Sequence, residues 1–70
     1  MKQGVKNCVK EFRKSKGITQ DQLAESIQVT RQTIIAIEKQ RYEPNIGTAI
    51  KLAKTLNCEM KELFWIEGDV

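Results

Sequence analysis

Residues 19–38 read TQDQLAESIQVTRQTIIAIE, and this stretch decides the fold. Thr19 and Gln22 stand at the spacing of a capping box. There a hydroxyl and an amide each satisfy one backbone N–H left over at a helix start. A helix is predicted to run from there to about Ile27. Leu23, Ala24 and Ile27 fall on one face of it by their three- and four-residue spacing. Gln28 and Val29 make a turn, and Thr30 is the next N-cap. A second helix follows over residues 31–39, with Ile34 and Ile37 as its buried side.

Two helices joined by so short a turn cross at roughly 90–120°. Their backbones approach closely at the crossing, which calls for a small residue, and Ala24 stands there. Leu23, Ile27, Val29, Ile34 and Ile37 supply apolar groups wherever the geometry demands them. A plain helical hairpin is the competing reading, and it places no such demand on Ala24. The phrases ITQDQLAESI and VTRQTI…IE resemble the helix-turn-helix of the Cro and phage-repressor type, the Xre family of bacterial regulators. The resemblance extends over about residues 5–66. It implies an all-α, five-helix, lambda-repressor-like DNA-binding domain, with the helix-turn-helix formed by helices two and three. Residues 1–70 are then one such domain.

Length and composition agree. Seventy residues form one small domain with a modest core. The two cysteines, Cys8 and Cys58, are far apart and belong to no CxxC pattern, which fits reduced thiols better than a disulfide. The chain has no histidine, so it lacks the commonest general base and metal ligand, and no metal site is expected. No apolar run reaches the roughly 18 residues of a membrane span. Lys2 and Lys6 are followed by no apolar segment of the kind a signal peptide has. There is no nucleophile–base pair and no glycine-rich phosphate loop. Glu11, Asp21, Glu25, Glu59 and Glu62 read as solvated helix faces, so no enzyme and no cofactor are expected.

Net charge is only +3, but it is unevenly placed. Lys2, Lys6, Lys10, Arg13, Lys14 and Lys16 stand near the start against Glu11 alone. Arg31, Lys39 and Arg41 stand against Glu38, and residues 59–69 are acidic. A basic side with an acidic end suits a protein that lays one face on phosphates.

Working outward, a first helix is expected over residues 6–16. Val5, Val9 and Phe12 share its face, Cys8 packs at the edge, and Gly17 is the left-handed stop. Pro44 turns Glu43 away from helix, and Asn45 caps a fourth helix over residues 46–56. That helix is expected to bury Ile46, Ala49, Ile50, Ala53 and Leu56. Gly47 in its first turn costs up to about 1 kcal/mol of helix propensity. A short fifth helix over residues 60–64 continues the core with Met60, Leu63 and Phe64, after Cys58 as a small buried link. Trp65, Ile66 and the polar tail Glu67, Gly68, Asp69 and Val70 follow. The resemblance further implies an ion pair between Arg13 and Glu38, tying the first helix to the end of the third. A guanidinium can hold a carboxylate with two bonds even when partly buried.

A helix in the major groove must present hydrogen-bonding side chains near its N-terminus and smaller or apolar ones beyond. Arg31, Gln32, Ile35 and Ala36 point away from Ile34 and Ile37, and are the expected base-contacting residues. Arg31 suits guanine O6 and N7, Gln32 suits adenine, and Ala36 or Ile35 suits a thymine methyl. Ile35 departs from the family, which often has a polar residue there. The resemblance assigns DNA-backbone contacts to Gln20 and Thr30, and helix N-termini do attract anions. Thr33, Lys39, Arg41, Tyr42 and Asn45 complete the expected backbone set. At Gln28 the family usually has glycine, because that position is commonly left-handed.

One recognition helix reads only a few base pairs, so proteins of this kind pair on palindromes. The chain has no room for a separate dimer domain and is expected to be a stand-alone, Cro-sized regulator. Phe64, Trp65 and Ile66 are the expected homodimer interface, since consecutive large apolar residues cannot all face one small core. The expected function is a sequence-specific, double-stranded DNA-binding transcriptional regulator, most simply a repressor, in the bacterial cytosol or nucleoid with no membrane association. The alternative is a protein-interaction module, such as an antitoxin-like partner, using the same C-terminal patch.

Overall fold

Three of the helices begin where a short polar side chain takes up a free N–H. The computed structural model describes residues 4–68; Lys2 of the basic segment and Asp69 and Val70 of the tail lie outside them. The second helix, α2, spans Gln20–Ile27. Thr19 Oγ1 accepts from the Gln22 N–H at 3.0 Å, and Gln22 Oε1 accepts from the Thr19 N–H at 2.9 Å. Helix α3, Arg31–Glu38, starts on Thr30, whose Oγ1 accepts from the Thr33 N–H at 3.3 Å. Helix α4, Ile46–Thr55, starts on Asn45, whose Oδ1 accepts from the Thr48 N–H at 2.8 Å. The first helix, α1, is Val9–Ser15, and the short α5 is Met60–Leu63.

The helix ends share one device. Gly17, Gln28, Gln40 and Asn57 follow α1, α2, α3 and α4 with φ of 70°, 63°, 63° and 55°. The next residue's N–H then reaches back five positions to a helix carbonyl: Val29 to Ala24, Arg41 to Ala36 and Cys58 to Ala53, at 2.9–3.0 Å. This is the Schellman arrangement. Glycine adopts the left-handed region freely and asparagine does so at reduced cost. The two glutamines do so against their preference.

Among the described residues there are five helices and one two-stranded antiparallel sheet. Strand β1, Val5–Asn7, pairs with β2, Phe64–Ile66, in the register Val5↔Ile66, Lys6↔Trp65 and Asn7↔Phe64. The helical expectation for residues 6–16 is corrected at its start, and so is the helical assignment of Phe64. Asn7 is the physical reason for the first. Its Oδ1 accepts from the Val9 N–H at 3.0 Å, a local bond that competes with helix and delays α1 to Val9. Phe64, Trp65 and Ile66 are aromatic and β-branched, suited to a pleated strand once β1 lies beside them.

The core joins Val9, Leu23, Ala24, Ile27, Ile34, Ile37, Leu52, Ala53, Leu56 and Leu63. Ala24, 4% exposed, sits where α2 meets its neighbours, as the crossing requires. Three expected core residues are not in it. Ile46 is 75% exposed, Ile50 is 45% exposed and Met60 lies at the surface too. Helix α4 buries the stripe Ala49, Leu52, Ala53 and Leu56, at helical spacings of three and four. Ile46 and Ile50 fall on the adjacent stripe, and Leu52 takes the place in the core assigned to them.

Candidate nucleic-acid interface

Helix α3 is built to show one side. Ile34 and Ile37 are fully buried, which turns Arg31 and Gln32 to solvent and leaves Ile35 and Ala36 half-buried between. Arg31 and Ile35, and Gln32 and Ala36, are four residues apart, so the set forms one stripe. At 1.5 Å rise per residue the helix is about 12 Å long, comparable to the width of a DNA major groove. Ile35 therefore offers only part of its side chain, less than an exposed isoleucine would.

Beneath this stripe lies a polar chain. Arg13 Nε donates to Glu38 Oε2 at 2.6 Å and Arg13 Nη2 donates to Glu38 Oε1 at 3.4 Å. Arg13 Nη1 donates to the Ile18 carbonyl at 2.7 Å. Both residues of the pair are 9% exposed, so α1 is fastened to the end of α3 by a buried two-point contact. Glu38 Oε1 also accepts from Gln20 Nε2 at 3.1 Å, and Gln20 Oε1 accepts from Arg31 Nε at 3.4 Å. The buried carboxylate thus orients Gln20, and Gln20 in turn holds Arg31. An amide fixed in this way holds an exposed cation with part of its rotamer freedom already lost, which lowers the cost of ordering it on a ligand.

The other sequence-assigned residues fall on either side of α3. Gln20 stands at the first turn of α2, beside Arg31. The Thr30 hydroxyl serves as the α3 cap and lies 3.1 Å from the Thr33 hydroxyl. Lys39, Arg41 and Tyr42 are exposed in the loop after α3, and Tyr42 is 46% exposed. Asn45 closes that loop with its side-chain oxygen engaged at the start of α4. Since Glu38 is paired inside, Arg31, Lys39 and Arg41 leave this side positive.

A second surface, beyond the loop after α3, is apolar. A groove of about 500 Å³ starts at Pro44 and Asn45 and is lined by Ile46, Met60, Phe64, Trp65 and Ile66. Strand alternation puts Phe64 and Ile66 on one face of the ribbon, and Trp65 on the other with Lys6. Phe64 packs half-buried against the core, while Trp65 and Ile66 are 47% and 41% exposed. All three nonetheless line this groove. Ile46 and Met60, assigned to the core by sequence, instead line this groove, and Ile50 is exposed outside it. No helix among the described residues is long and apolar enough to cross a membrane. No group of three potential metal ligands occurs among them either.

Sequence reasoning missed two further residues. Asn7 is buried and bonded to the end of α3, and Gln40 leaves α3 in the left-handed region. A polar side chain just before a helix is a cap signal in itself, but its distant partner leaves no local trace.

Comparisons with known proteins agree with this geometry. A family model described as Helix-turn-helix matches residues 9–63, from the start of α1 to the end of α5. The uncharacterised HTH-type transcriptional regulator YgzD of Bacillus subtilis is 44% identical over 65 residues, covering 93% of this chain and 98% of that protein. An uncharacterised HTH-type transcriptional regulator of Methanothermobacter thermautotrophicus is 42% identical over 66 residues, covering 93% and 96%. Among solved structures, the restriction-modification controller protein C.AhdI of Aeromonas hydrophila superposes with a TM-score of 0.72 at 28% identity. The match covers 77% of this chain and 82% of that one.

Proposed function

The chain belongs to the helix-turn-helix family of DNA-binding transcriptional regulators, and from that membership we propose a sequence-specific repressor that binds a palindromic operator as a homodimer. As a member of that family it is not an enzyme. The observation that carries the proposal is the exposed stripe of α3, held from below by Glu38 through Gln20 and Arg31. In this reading Arg31 and Gln32 read base edges, with Ile35 and Ala36 against thymine methyls. Gln20, Thr30, Thr33, Lys39, Arg41, Tyr42 and Asn45 bind the sugar-phosphate backbone on either side. Repression needs nothing beyond occupancy of a promoter, which a domain of this size provides in the cytosol or nucleoid.

Homodimerisation places the apolar surface at the two-fold axis. Phe64, Trp65 and Ile66 form the interface, extended by Ile46 and Met60. A soluble monomer rarely keeps so much contiguous apolar surface uncovered.

The test is selection of duplexes from a random library by the purified protein near physiological salt. An enriched inverted repeat, with enrichment lost in the Arg31→Ala, Gln32→Ala double variant, is the expected result. Enrichment of nothing, with binding that disappears as salt rises, leaves only phosphate attraction and overturns the proposal. Sedimentation on the selected site tests the dimer; one protomer per site at high protein concentration refutes it. In that case the apolar surface is better read as a site for another protein.

A further inference from the structure

Strand β1 has two edges, and only one is covered by β2. The Cys8 N–H donates to the Leu63 carbonyl at 3.0 Å and the Gly4 carbonyl accepts from the Glu67 N–H at 2.8 Å, so Gly4 and Cys8 face β2. By alternation along an antiparallel strand, the N–H and C=O of Asn7 face the opposite edge. The side-chain amide of Gln40 meets them there. The Asn7 N–H donates to Gln40 Oε1 at 3.0 Å, and Gln40 Nε2 donates to the Asn7 carbonyl at 2.9 Å. A primary amide has the donor and acceptor of a peptide group, so the Gln40 side chain acts as one residue of a third strand.

The Asn7 side chain completes the junction. Its Nδ2 donates to the Ile37 carbonyl in the last turn of α3 at 3.0 Å, and its Oδ1 accepts from the Val9 N–H. Asn7 thereby joins the sheet, the start of α1 and the end of α3, at 6% exposure. Gln40 is also where the backbone leaves α3. Its φ of 63° sets the direction of the loop that carries Arg41, Tyr42 and Asn45.

We propose that Asn7 and Gln40 are positioning residues for DNA reading, an amide clasp that fixes the exit of α3 and its basic loop against the terminal sheet. The inference rests on the DNA-reading surface proposed above. Its mechanism is geometric: α3 and the loop must meet bases and phosphates in one register, and the clasp removes the freedom of the segment between them. It touches no DNA itself.

The test compares the wild-type chain with Gln40→Gly and Gln40→Asn. Glycine keeps the left-handed exit and removes the clasp. Asparagine keeps the amide and tolerates the conformation, but is one methylene too short to reach Asn7. Relief of backbone strain offsets part of the loss of the three hydrogen bonds to Asn7, so both variants remain folded with melting temperatures a few degrees below wild type. The expected result is an operator affinity lowered roughly tenfold, the size of one or two net hydrogen bonds, with affinity for unrelated duplex at the same salt unchanged. In the free variants the Asn7 and Arg41 amides exchange hydrogen faster than in wild type. A purely structural role would move the melting temperature and leave the operator-to-unrelated ratio alone. An unchanged ratio, or unchanged exchange at Arg41, overturns the proposal. A wild-type chain that itself fails to discriminate duplexes removes the DNA reading, and the clasp's role with it. That failure is seen before any variant is compared.

Discussion

Replacing Gln28 by glycine should make the protein more heat-stable without changing what it binds. Gln28 ends α2 with φ 63° and ψ 46°, in the left-handed region. An L-residue other than glycine pays about 1–2 kcal/mol there, because its Cβ crowds the carbonyl oxygen. The side chain is exposed and has no hydrogen-bond partner among the described residues, so its removal forfeits little. Against the gain stands the greater freedom of glycine in the unfolded chain, about 0.4–1 kcal/mol. The net is about 0.5–1 kcal/mol, which for a domain of this size raises the melting temperature by roughly 3–6 °C. Thermal unfolding followed by far-ultraviolet circular dichroism measures the shift. Duplex binding at fixed salt should agree with wild type within about twofold, since no exposed group of α3 changes. The contrast with Gln40 sharpens the test. Gln40 has the same φ, but its side chain holds Asn7, so glycine there should bring no comparable gain. A melting temperature that falls or stays fixed in Gln28→Gly, or a rise as large in Gln40→Gly, would refute the reasoning.

Further outcomes follow from the same geometry. Glu38→Ala leaves the Arg13 guanidinium buried without its carboxylate and frees Gln20, and should cost about 3–5 kcal/mol in denaturant unfolding. A loss below about 1 kcal/mol would mean that Arg13 escapes to water, as an exposed pair would allow. Gly47→Ala should stabilise α4 by up to about 1 kcal/mol on the helix-propensity scale. The added Cβ meets only Asn45 Oδ1, at 3.6 Å, an ordinary contact. If operator affinity falls in that variant while stability rises, a DNA backbone approaches this turn. Burial raises the pKa of both thiols, with the Glu11 charge adding to the effect at Cys8 and the Glu62 charge at Cys58. A raised pKa means less thiolate at a given pH, so both should alkylate with iodoacetamide more slowly than a free thiol at pH 8, with midpoints above the usual value of about 8.5. Reaction at or above the free-thiol rate would contradict the burial.

Much of the site was legible because its signals are local. The capping box at Thr19, the N-caps at Thr30 and Asn45, and the small residue at Ala24 each act within one turn of helix. They are visible in a row of letters. Helical periodicity then decided which side of α3 is free, and so singled out Arg31 and Gln32. The same periodicity misled at Ile46 and Ile50. An apolar residue one stripe away from the buried one looks the same in sequence, and only the placement of α4 against α2 chose Leu52.

By itself, then, the sequence determined the helix starts, the helix-turn-helix crossing and the chemistry offered by α3. These depend on bonds and spacings between near neighbours. The tertiary structure decided the rest: the sheet between β1 and β2 and the clasp between Asn7 and Gln40. Each of these joins segments more than 30 residues apart. An amide side chain or a three-residue strand has many possible partners at such a distance. Only the packed core, by fixing which ends of α1, α3 and α5 lie together, selects one.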